Sequence, residues 1–222
     1  MGREETFDHV KRVGIIPAIR TFNVKEAVKA IEAVRLGGVD IVEVSLPSHD
    51  SIAVLDAVVR EHGKSMLVGA GTIVDSDGVV RAARAGAQFI VTPGFNAGAV
   101  EKAKELGLAI FAGALTPTEV QVASASGADA VKIFPCFATG DARYLRALRG
   151  QYPATNFIAS GGVSLENCAE YVRAGACAIG VGGEIVDFDT MAVGHYRVFT
   201  VRTKRLFDAV RTAREHMANG NS

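Results

Sequence analysis

The sequence predicts an α/β fold, a (β/α)8 TIM barrel in a single domain, on three observations. Eight short apolar runs alternate with amphipathic helical stretches, a glycine recurs just past the helices, and no run carries the charges or shortening of a sheet edge. The length of 222 residues falls in the ~200–250 range over which α/β barrels form one unit. Residues 1–222 are therefore expected as one barrel, with a short N-terminal helix ahead of the first strand.

The strands are expected at residues 14–19, 39–44, 66–69, 89–92, 109–112, 130–134, 157–160 and 178–181. Their near-continuous apolar character suits parallel strands covered by helices on the outside. Between them, residues 24–36, 52–62, 77–85, 97–106, 117–123, 142–149 and 165–174 carry helical patterning, and residues 197–214 close the chain. Several helices end in one signature: Leu36-Gly37-Gly38-Val39, Arg84-Ala85-Gly86, Glu105-Leu106-Gly107, Ser126-Gly127-Ala128 and Ala174-Gly175-Ala176. A glycine there adopts left-handed geometry and turns the chain into the next strand.

Hydrophobic residues make up 49% of the chain and charged ones 22%, enough apolar material for a core. Lys plus Arg and Asp plus Glu each total 24, so the net charge is zero and neither nucleic acid nor an anionic membrane is expected as a partner. Cys136, Cys168 and Cys177 are odd in number and lack paired spacing, which reads as reduced thiols in a cytoplasmic protein. Residues 1–12 are charged and lack a signal-peptide apolar region, and no apolar stretch reaches the ~18 residues of a membrane span. The five histidines (His9, His49, His62, His195 and His216) are scattered without ligand spacing, so no metal is expected.

Active sites of such barrels lie at the C-terminal ends of the strands. The polar residues falling there are Arg20, Glu43, Thr72, Thr92 with Pro93, Thr116, Lys132 with Phe134, Ser160 with Gly161-Gly162, and Gly182-Gly183. Lys132 is the most informative. Alternation along Asp129-Ala130-Val131-Lys132-Ile133-Phe134-Pro135 places Ala130, Lys132 and Phe134 on one face and Val131 and Ile133 on the other. Such a lysine either pairs with a carboxylate or snorkels out at a strand end, or it is desolvated and made nucleophilic toward carbonyls. By the same alternation Ile41, Glu43 and Ser45 share a face while Val42 and Val44 meet the helices. A Glu–Lys pair at a barrel mouth reads as base and nucleophile, since a buried ion pair contributes little net stability. The turns Ser160-Gly161-Gly162-Val163 and Gly180-Val181-Gly182-Gly183 follow the seventh and eighth strands, where barrel phosphate sites form. His49 in the loop after Glu43 reads as a solvated histidine with substrate contact as the alternative.

Together these residues resemble the 2-keto-3-deoxy-6-phosphogluconate (KDPG) and 4-hydroxy-2-oxoglutarate (KHG) aldolase family. Val42-Glu43-Val44-Ser45-Leu46, Gly69-Ala70-Gly71-Thr72, Val91-Thr92-Pro93-Gly94, Val131-Lys132-Ile133-Phe134-Pro135, Ser160-Gly161-Gly162-Val163 and Gly180-Val181-Gly182-Gly183 occur in the family's order over residues 15–185. The resemblance implies a class I aldolase, usually trimeric, that works through a covalent imine without a metal. It implies Lys132 as the Schiff-base lysine and Glu43 as the general acid/base. Phe134 would flank the lysine, Thr72 would bind the pyruvyl carboxylate, and Gly161 and Gly162 would bind phosphate. Two departures stand out. Pro47 occupies a position where some members carry a carboxylate-binding arginine, a charge Arg20 can supply. Gly183, followed by Glu184, replaces a phosphate-binding serine. A phosphosugar isomerase, a thiamine-phosphate-synthase-like barrel and a non-catalytic sugar-acid-binding barrel are the alternatives; none needs lysine in an apolar strand.

Overall fold

The computed structural model describes residues 1–47 and 51–220. After α1 (Arg3–Val13) the strands are β1 (Ile15–Ile19), β2 (Ile41–Ser45), β3 (Leu67–Gly71), β4 (Phe89–Val91), β5 (Ala109–Ala114), β6 (Ala130–Ile133), β7 (Phe157–Ser160) and β8 (Ala176–Val181). Between them run α2 (Val24–Leu36), α3 (Ile52–His62), α4 (Ser76–Arg84), α5 (Ala97–Glu105), α6 (Pro117–Ala125), α7 (Asp141–Gln151) and α8 (Cys168–Arg173). Two helices follow β8: α9 (Phe188–Ala192) and α10 (Arg197–Ala218). Every strand pairs in parallel with the next, and β8 closes onto β1. The fold is a (β/α)8 barrel.

Strand alternation sorts the apolar residues into two cores. Val42, Val44, Val131 and Ile133 point outward into the core beneath the helices. Ile41, Leu67, Phe89, Phe111, Ala130 and Ile158 point inward and fill the N-terminal half of the barrel. Phe89 stacks on Phe111 at 5.4 Å between ring centroids, and Phe7 of α1 caps that pair at 5.8 Å from Phe111. The helix is tied to this floor by Arg3, whose Nε donates to Asp129 at 2.9 Å, and by Arg214 of α10, which donates to the carbonyls of Lys11 and Arg12 at 2.8 and 3.0 Å. The bottom of the barrel is therefore packed shut.

The helix-ending glycines behave as their position demands. Gly38, Gly86, Gly107, Gly127 and Gly175 take φ from 69° to 99°, the left-handed region that costs other residues most. Differences from the expected elements are local. β3 and β5 each run two residues further, because ladder pairing carries Gly71 against Ser45 and Ala114 against Ile133 despite weak strand propensity. α8 starts at Cys168 because Asn167 folds back, accepting from the Ser164 amide at 2.8 Å and donating to the Gly162 carbonyl at 2.8 Å. Two short pieces were not expected: α9 and a 3₁₀ turn at Cys136–Thr139.

Candidate active site

Above the packed floor the barrel opens into a cavity of about 610 Å³ at the C-terminal ends of the strands. Lys132 from β6 and Glu43 from β2 both line it. They reach it because each sits at an inward position one step above the apolar layer: Ala130 lies below Lys132 and Ile41 below Glu43. Both are buried, Lys132 at 8% exposure and Glu43 at 4%. Among the described residues Lys132 forms no ion pair; the structure gives its Nζ the Phe134 ring, 5.0 Å from the centroid. The ion-pair alternative for the lysine is therefore absent from the described residues, and the amine faces open space.

The walls come from the strand ends. Arg20 stands exposed at the mouth beyond β1, Thr72 follows β3, Pro93 follows β4 and Phe134 follows β6. Thr72 holds φ 61°, a left-handed conformation that a β-branched residue adopts at a cost of ~1–3 kcal/mol. Gly161 and Gly162 form the turn after β7 at φ 82° and 81°; a side chain on the first would meet Pro135 and on the second Phe137. The 3₁₀ turn locks onto this bend through the Phe137 amide, which donates to the Gly161 carbonyl at 3.2 Å. Behind it the buried Tyr171 hydroxyl donates to Asp141 at 3.0 Å, and burial pushes the neighbouring Cys136 thiol up to about 11. Gly182 and Gly183 close the ring after β8.

The cavity has further lining residues, of which Val186, Asp187 and Phe188 escaped the sequence reading. Ser45 sits on the inward face two residues above Glu43, while Val163, Val186 and Phe188 supply apolar wall. Glu184 is exposed there. Asp187 also lines the cavity, but its carboxylate is engaged: it accepts from the Thr190 amide at 2.8 Å, capping α9, and from Arg202. These two partners hold its carboxyl down to about 2. Alternation put Ser45 on the Glu43 face, and the turns after β7 and β8 named Val163 and Glu184; nothing in the local pattern announced Val186, Asp187 or Phe188.

Two expectations change. Thr92 is fully buried and does not line the cavity. Its Oγ1 accepts from the Gly113 amide at 2.9 Å, joining β4 to β5, so it is removed from the substrate-contacting set. Thr116 caps α6, with Glu119 accepting from the Leu115 and Thr116 amides at 2.9 and 2.7 Å, and is likewise outside the cavity. Pro47 lines a separate pocket of about 210 Å³ that shares Thr72 with the main cavity. His49 lies outside the described residues. Among the described residues no three His, Cys, Asp or Glu side chains are grouped to hold a metal, and no helix is long and apolar enough to cross a membrane.

This geometry can be set beside known proteins. The model of a family described as KDPG and KHG aldolase matches residues 7–201. A 2-dehydro-3-deoxy-phosphogluconate aldolase from Treponema pallidum is 32% identical over 207 residues, which are 92% of this chain and 97% of that one. A 2-dehydro-3-deoxy-6-phosphogalactonate aldolase from Escherichia coli is 34% identical over 175 residues, 78% of this chain and 85% of that one. A solved structure described as native KDPGal superposes with a TM-score of 0.83 at 32% identity, covering 90% of this chain and 96% of the other.

Proposed function

Because the chain belongs to the KDPG and KHG aldolase family, we propose that it is a class I aldolase, a carbon–carbon lyase that cleaves a 2-keto-3-deoxy-6-phospho sugar acid to pyruvate and glyceraldehyde 3-phosphate. The observation that carries this reading is Lys132, buried in the barrel, without a carboxylate partner among the described residues, and sharing one cavity with Glu43. The similarity to a 2-dehydro-3-deoxy-6-phosphogalactonate aldolase keeps the galactonate epimer as a second substrate reading; 4-hydroxy-2-oxoglutarate is a third within the same family.

Lys132 attacks the C2 ketone, and loss of water gives an iminium that withdraws electrons. Glu43, directly or through a water, takes the C4 hydroxyl proton, the C3–C4 bond breaks, and the aldehyde leaves. The remaining pyruvyl enamine is protonated at C3 by the same carboxyl, which the first step left protonated, and hydrolysis frees pyruvate. General acid–base catalysis of this kind contributes ~10²–10⁴-fold. The iminium is the electron sink, so the chemistry needs no metal. Phe134 walls the imine. Thr72 binds the carboxylate with Arg20 supplying positive charge, Pro93 bounds the keto-acid end, and the amides of Gly161, Gly162, Gly182 and Gly183 meet the distal phosphate. With these roles go a homotrimer, as the family resemblance implies, a cytoplasmic location, as the unpaired cysteines suggest, and one barrel domain per chain, residues 1–222, as the uninterrupted strand–helix series suggests.

Borohydride reduction in the presence of pyruvate is expected to leave a reduced pyruvyl adduct on Lys132, and Lys132→Ala to abolish cleavage. An unmodified Lys132 in an active preparation would overturn the proposal.

A further inference from the structure

We infer that Gly71 is a positioning residue for the acid–base step: the side chain it lacks is the space the Glu43 carboxylate occupies. The inference rests on the role proposed above for Glu43. Gly71 ends β3 and pairs in the ladder with Ser45, so it lies level with the residue above Glu43. Its backbone is not among the left-handed glycines, so nothing in the main chain demands glycine here. Glycine weakens a strand interior, and where it persists it often marks a close approach by another group.

The approaching group is specific. A Cβ built on Gly71 would fall onto the Glu43 side chain, the nearest atoms being Oε1, Cδ and Cγ of that one residue. Two other inward glycines, Gly69 on the same strand and Gly113 on β5, behave differently. A Cβ on Gly69 would enter the Phe89 ring, in the middle of the packed floor. One on Gly113 would strike the main chain of Pro93 and Gly94, which cannot give way without moving β4's end. At Gly71 alone of these three the obstacle is a single flexible side chain that lines an open cavity, met along its outer half from Cγ to Oε1. A methyl group there swings the carboxylate off its place over β3 and leaves the barrel as it is. Gly71 thus sets where the proton acceptor lies while touching no reacting atom itself.

The test is Gly71→Ala beside Gly69→Ala, Glu43→Gln and the double variant Glu43→Ala/Gly71→Ala. Misplacing a catalytic group by about 1 Å costs ~10²-fold in rate. Gly71→Ala is expected to lose about that much kcat while keeping its melting temperature and its yield of borohydride-trapped pyruvate on Lys132. Gly69→Ala is expected to melt lower. In the Glu43→Ala background, where no carboxylate remains to displace, Gly71→Ala is expected to cost no further turnover. Wild-type kcat in Gly71→Ala, a drop in melting and trapping like that of a packing defect, or an undiminished cost in the Glu43→Ala background would each overturn the inference. If Glu43→Gln itself turned over normally, the acid–base role would fall instead, and that outcome is distinct from the others.

Discussion

Replacing Lys132 by Met separates a catalytic lysine from a structural one, because the two roles predict opposite changes in stability. The side chain is 8% exposed, has no ion pair among the described residues, and stands 5.0 Å from the Phe134 ring centroid. Taking an unpaired charge from water into a protein interior costs several kcal/mol, and the open cavity above the amine reduces that to about 1–2 kcal/mol. The cation–π contact opposes it with ~0.5–1 kcal/mol where solvent has access. Methionine keeps the length and apolar stem and adapts to irregular space, so little packing is lost. The balance predicts a stabilisation of about 1 kcal/mol, or a rise of ~2–4 °C in Tm for a chain of this size. Cleavage falls to background in the same protein. Thermal unfolding followed by circular dichroism, run beside pyruvate release coupled to lactate dehydrogenase, reads both quantities. A Lys132→Met protein that melts clearly below wild type would refute the reasoning, since the amine would then be holding the fold together.

The remaining predictions concern residues at the edge of the site. Thr92→Val removes the acceptor of the Gly113 amide at a fully buried position; the orphaned N–H is expected to cost about 1–3 kcal/mol in urea unfolding, with KM for the keto acid unchanged. A raised KM with unchanged stability would return Thr92 to the substrate-contacting set. Asp187 has its carboxyl held down to about 2, against about 3.9 in an unfolded chain. A folded value depressed in this way gives stability that is present above about pH 4 and lost as pH falls through about 2. The side chain is 31% exposed, so the ~2.6 kcal/mol that such a shift implies is discounted for solvent screening to about 1 kcal/mol. Asp187→Asn is expected to melt below wild type at pH 6 and to converge with it as pH is lowered; a gap that stays constant with pH would count against the Arg202 and Thr190 contacts as its source.

Period and punctuation carried most of the architecture. Alternation placed Lys132 and Glu43 on the inner face, and the structure brings them to one cavity because the barrel closes β2 and β6 around a common interior. The helix-ending glycines announced the repeated unit, since left-handed geometry is demanded by the turn itself. What stayed illegible depended on partners distant in sequence. Five residues of α9 are too few to show a helical period, and the helix is held by Asp187 meeting Arg202 from α10. Thr92 read as a rim hydroxyl because a threonine at a strand end looks the same whether it faces substrate or a neighbouring amide. Thr116 was more legible than its reading: Thr116-Pro117-Thr118-Glu119 is a capping-box pattern with proline at the first helical position.

The same strands do two jobs at two heights, and this explains why glycine and serine gather near the mouth. Below, Leu67, Phe89, Phe111 and Ile158 fill the bore, and α1 seals it with Phe7 and Val10. Above, Ser45, Ser160 and Gly180 line the cavity from inward positions, and Gly71 and Gly113 leave room for the Glu43 side chain and the Pro93-Gly94 main chain. Gly180 shows the tightness of the arrangement: a Cβ there would come within 2.8 Å of the Ser160 hydroxyl. Apolar burial contributes ~25 cal/mol per Å², and small residues forgo most of it. The upper layer therefore weakens the barrel relative to one filled throughout, and the aromatic floor offsets that loss where no chemistry is required. A buried amine without an ion pair among the described residues persists in such a layer because the stability that tolerates it is generated one layer down.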